Sequence, residues 1–142
     1  MRSGARSEVR SGRTPRRGDA GVSVSLPTDR RYLDVARLVV GGVASRLRLG
    51  YEELDDVQLA VESVLRSDLA LAGEVNVEVA VADERLTVAV GPLDDLRLRR
   101  RLRADGRDGL GLGMLLHRLA DRVEVVPGPY GSSLVLTKTP RV

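Results

Sequence analysis

The chain has 142 residues, enough for one domain with a sizeable core, and its apolar share of 42% suits a soluble globule. With no Cys, Phe or Trp and only three Tyr, it has no disulfides or thiolate metal sites, and its core is left to Leu, Val and Ala. The net charge of +3 is uneven: arginines crowd residues 2–17 and 97–103, but no aromatic side chains interleave them to stack on bases, so they read as a solvated tail and loop rather than a nucleic-acid interface.

Residues 1–20 are Arg, Ser and Gly with almost no apolar content, and are expected to be a disordered basic tail. They lack the apolar stretch of a signal peptide, and no run in the chain approaches the roughly 20 apolar residues of a membrane helix. A cytoplasmic protein without membrane contact is expected. The stretch "GVSVSLP" alternates and predicts a strand ended by Pro27, with Thr28 placed to cap the helix that follows. In that helix Tyr32, Val35, Ala36, Val39, Val43 and Leu47 fall on one face, and Gly50 suits its C′ position. Gly41 and Gly42 in mid-pattern cost roughly 1 kcal/mol each relative to Ala and suggest close packing there.

A second helix is predicted over 51–72, with Leu54, Val57, Val61, Val64 and Leu65 as its buried stripe and Gly73 as its end. Glu52, Glu53, Asp55 and Asp56 sit in its first turns, where the helix dipole favours negative charge. Next, "EVNVEVAVADERLTVAV" predicts a hairpin turning at Asp83 and Glu84, its valines on one face. The arginine-rich stretch 91–108 breaks the pattern and reads as a loop with a short helix. A helix over Leu112–Leu119 follows, then a hairpin turning at "PGPYGS". Lone His117, in mid-helix, reads as a surface residue.

This order predicts an α+β two-layer sandwich, with helices on one face of a mixed, largely antiparallel sheet. The glycines of "DGLGLG" follow a loop rather than a strand, which argues against a dinucleotide fold.

"RLVVGGVASRLRLGYEELDDVQLAVES" resembles the first two helices of the anti-sigma factor serine kinases, within the GHKL (histidine kinase-like) ATPase superfamily. "DGLGLGMLLHRLADRVEVVPGPYGSSLVLTKT" resembles that family's last glycine box, its helix and its closing hairpin. The resemblance spans about residues 22–139, and makes 21–142 one GHKL (Bergerat-type) domain, expected to dimerise. It implies ATP and magnesium bound between the helices, sequestration of a sigma factor, and phosphorylation of a serine on an antagonist protein.

The family's nucleotide residues are only partly matched. Its general-base Glu falls on Glu62, but its magnesium-binding Asn falls on Arg66, which has no lone pair for a metal. Pro92 stands where the family's adenine-reading Asp belongs; Asp94 or Asp95 could replace it only if the loop shifts. Glu62 and Arg66 also have a plainer reading as an i,i+4 ion pair. Gly109, Gly111 and Gly113 are residual phosphate-loop candidates that equally serve a turn and close packing.

The expectation is therefore a protein-binding regulator of the sigma-factor system, with no metal site, no kinase activity and no cofactor. Its partner is a sigma factor or an antagonist, contacted through Arg37, Arg46, Arg97, Arg99, Arg100 and Arg101. The alternative is an active ATP- and magnesium-dependent serine kinase with Glu62 as base.

Overall fold

The computed structural model describes residues 20–103 and 111–141. Of the tail expected over 1–20, residues 1–19 lie outside the described residues, as does the candidate Gly109, while Ala20 already belongs to a strand.

Strand β1 (Ala20–Pro27) leads into a short 3₁₀ turn (Arg30–Tyr32) and helix α1 (Leu33–Ala44). Helix α2 is Tyr51–Leu65, and β2 (Glu74–Ala82) and β3 (Arg85–Leu93) form the first hairpin. Helices α3 (Asp95–Arg103) and α4 (Leu112–Leu119) precede the closing hairpin, β4 (Arg122–Pro127) and β5 (Ser132–Lys138). The five strands are ordered β1-β2-β3-β5-β4. Every pairing is antiparallel, so the parallel component expected of a mixed sheet is absent among the described residues.

Alternation sorts the strand residues. Val75, Val77, Val79, Leu86, Val88, Val90, Leu134 and Leu136 turn to the core and are buried. The opposite face carries Ser23, Glu78, Ala89 and Thr137, as expected for a sheet covered on one side. The β2–β3 hairpin turns at Asp83 and Glu84 with φ of 54° and 59°, the left-handed pair whose twist suits a two-residue turn.

Helix packing follows less closely from the pattern. Asp29, not Thr28, caps the first turn: its carboxylate accepts from Arg31 N at 2.9 Å. Helix α1 stops at Ala44 and buries Ala36, Val40, Val43 and Ala44, while Tyr32 and Val35 stay exposed. The buried stripe is thus rotated from the expected one. Gly50 begins α2 instead of ending α1, and its N–H donates to Glu53 Oε1 at 2.6 Å. Helix α2 ends eight residues before Gly73; residues beyond Leu65 turn back to bridge Ala70 to Leu93. Its buried face is Glu53, Val57, Ala60, Val61 and Val64, with Leu54 and Leu65 only partly covered. The stretch expected mainly as a loop holds nine-residue α3, anchored by Leu98, which is fully buried.

Gly41 is explained by a close approach. Gln58 of α2 donates from Nε2 to the Arg37 carbonyl at 2.9 Å, and a Cβ on Gly41 would stand 3.2 Å from that nitrogen. Lys138, 2% exposed, ties the layers together: its Nζ donates to the Leu119 carbonyl at 2.9 Å and lies 3.6 Å from Asp56.

Candidate functional site

Glu62 lies on α2 with its side chain 12% exposed, and its partner is not Arg66. Arg37 reaches across from α1 and donates from Nη1 to Glu62 Oε2 at 3.1 Å. The same guanidinium lies 3.4 Å from Asp55 Oδ1 and from Gln58 Oε1. The hydrogen bond to Glu62, assisted by Asp55, holds Arg37 above its usual pKa against the opposing effect of burial. Arg37 was expected to be free for a partner; instead it is one-third exposed and clasped between two helices.

Arg66 caps the C-terminus of α2 and is exposed. Among the described residues it has no ion-pair or hydrogen-bonded side-chain partner. A cation suits the negative end of the helix dipole, so the fold accepts this charge without a carboxylate beside it.

Pro92 lies near the end of β3. There the backbone is stapled to the segment after α2: Asp94 N donates to the Leu69 carbonyl at 2.9 Å. Asp94 and Asp95 both serve α3. Asp94 Oδ1 accepts from Arg97 N at 2.9 Å, closing the first turn of α3. Asp95 accepts from the Ser132 hydroxyl and from Arg99 Nε, and these contacts, Ser132 first, hold its carboxyl below the usual range.

Gly111 and Gly113 open α4. Gly113 is buried against α3: a Cβ there would overlap the Leu102 carbonyl oxygen. Its glycine is therefore required by helix contact. Further α3 side chains hold the helix down on the end of α2, through Arg101 Nη1 to the Ser67 carbonyl at 3.3 Å and Arg97 to Asp68 at 3.6 Å. Among the described residues Arg46 and Arg100 have no ion-pair partner, and both are exposed; His117 is exposed too.

The structure thus brings Glu62 to Arg37, and α3 onto the ends of α2 and α4. It does not pair Glu62 with Arg66. Sequence reasoning missed Leu98, Gln58, Ser67 and Ser132. The i,i+4 spacing of Leu98 and Leu102 inside the arginine run was the available signal for α3.

The chemistry of these side chains does not suit a magnesium nucleotide: the Arg66 guanidinium has no lone pair for a metal, Pro92 has no side-chain acceptor for a base, and the segment that follows includes helix α3, whose Leu98 belongs to the core.

No protein-family model matches the chain. The serine-protein kinase RsbW of Listeria monocytogenes (serotype 4a, strain HCC23) is 30% identical to it over 136 residues, covering 82% of this chain and 85% of the relative. The serine-protein kinase RsbW of Bacillus subtilis (strain 168) is 30% identical over 80 residues, 52% of this chain and 50% of the relative. Among solved structures, the RsbU and RsbW domains of a Mycobacterium tuberculosis protein match with a TM-score of 0.60 at 14% identity. That match covers 84% of this chain but 32% of the other, so the chain spans about a third of that protein's length, and the likeness speaks for the fold alone. The Listeria relatives extend over most of both sequences, and on that ground the chain belongs to the RsbW serine-protein kinase family.

Proposed function

We propose that the chain is an anti-sigma-factor-like regulator that works by protein contact, binding a sigma factor or its antagonist, and that it has lost kinase activity and magnesium-ATP binding. Arg66 is the observation that carries this reading. Magnesium takes oxygen ligands, and a permanently protonated guanidinium offers no lone pair and repels the ion. The packing of α3 agrees with the same reading, because Leu98 is buried in the core and Gly113 packs against the Leu102 carbonyl. So does Glu62, whose carboxylate is engaged by Arg37 rather than left free as a base.

What remains is a surface for a partner. Arg46 and the outward arginines of α3, Arg99 and Arg100, suit an acidic segment, as does the exposed third of Arg37. Arg97 and Arg101 support α3 itself. Homodimerisation belongs to the same reading.

Transcription in vitro by the host polymerase tests it, with each of its sigma factors supplied in turn. The expected result is inhibition of one sigma factor that is the same with and without ATP. Transfer of labelled phosphate from ATP to an antagonist protein, abolished by Glu62→Gln, would establish the active kinase instead.

A further inference from the structure

A cavity of about 210 Å³ opens between the end of β1, residues 28–33 and the last turn of α2. Its floor is apolar, made by Leu26, Val64, Leu69, Val75 and Leu93, none more than 7% exposed. Four charged residues line it: Asp29, Arg30, Arg66 and Asp68. Both acids are engaged from outside the lining. Asp29 is bound by Arg31 at 2.7 Å, which with the capping contact lowers its pKa to about 2. Asp68 lies 3.6 Å from Arg97. Arg30 and Arg66 have no such partner among the described residues. The lining therefore presents two uncompensated guanidinium groups beside an apolar floor.

Size narrows the occupant. A cavity of roughly 150 Å³ holds benzene, and drug-sized sites begin near roughly 300 Å³. We propose that this cavity is a binding site for a small amphiphilic anion: one carboxylate on an apolar body of about six to eight carbons. The body covers the Leu and Val floor, and the carboxylate meets the forked donors of Arg66 and Arg30. Glu62, Gly111 and Gly113 do not line the cavity, so it is separate from the glycine-box helix; Arg66 is shared with the magnesium argument, but its lack of a lone pair for a metal holds whether or not an anion binds here.

Methyl NMR of the full chain tests the site, with sodium octanoate as probe and 1-octanol and octylammonium as controls. Octanoate is expected to give saturable shifts in the methyl groups of Leu26, Val64, Leu69, Val75 and Leu93. Octanol should bind about tenfold more weakly, the worth of one charge-assisted contact, and octylammonium should not saturate. Arg66→Gln should weaken octanoate about tenfold with the rest of the spectrum unchanged. Ala70→Leu, which enlarges a partly buried lining side chain without touching the site's charge, should also weaken octanoate. Absence of saturable shifts at those methyls would overturn the proposal, and so would equal affinity for octanoate and octanol or indifference to Arg66→Gln.

Discussion

Along α2 the charged side chains of the middle turns and of the last turn are held in different ways. Asp55, Gln58 and Glu62 converge on Arg37 and fasten α2 to α1. One turn beyond Glu62, Arg66 meets no partner among the described residues and projects from the helix end. The difference shows two ways in which a helix holds a charged side chain: Glu62 by a tie across two helices, Arg66 by a favourable helix end.

That contrast can be strained first at α3, which is tied to the residues just beyond Arg66, Ser67 and Asp68. Leu98→Ala removes a fully buried side chain and is expected to cost about 2–4 kcal/mol in urea unfolding. A loss under about 1 kcal/mol would mean that α3 is not part of the core. Gly113→Ala forces a Cβ into the Leu102 carbonyl and should cost about 1–3 kcal/mol. Amide exchange should rise in α3 more than in β2 and β3, because the collision is with the α3 backbone.

The tie itself comes next. Arg37→Ala leaves the largely buried Glu62 carboxylate without its cation and should cost about 1–2 kcal/mol. Arg66→Ala, at an exposed position without a partner, should change stability by about 0.5 kcal/mol or less. Equal effects at the two positions would erase the contrast.

The smallest effect is a titration. Asp29 has a folded pKa lowered from 3.8 to about 2 by Arg31, so its capping contribution is present above 3.8 and is lost as the pH falls through about 2. Carboxyl NMR should place its midpoint near the lower value, and Arg31→Ala should return it towards 3.8.

Much of this was legible in the residues, for reasons that differ by region. The two hairpins announce themselves because strict alternation has one solution, and Asp83 and Glu84 turn where expected. The helices were harder. Val35 and Val40 are both apolar but lie about 140° apart around the helix, and only the packing of the folded chain decides that Val40 is buried and Val35 is not. Gly50 could end one helix or begin the next, and the Glu53 carboxylate on its N–H decides for the second. The partner of Glu62 was not readable, since an i,i+4 neighbour competes with a long-range one that sequence spacing does not reveal. The contacts of Asp94 and Asp95 depend on where α3 begins, which the arginine run obscured.

Calorimetry of the purified chain with millimolar magnesium-ATP asks most directly whether Arg66 and the packed α3 have closed the nucleotide site. The expected titration has no saturable heat, and the protein's melting temperature is unchanged by the nucleotide. A magnesium-dependent Kd in the micromolar range would contradict it.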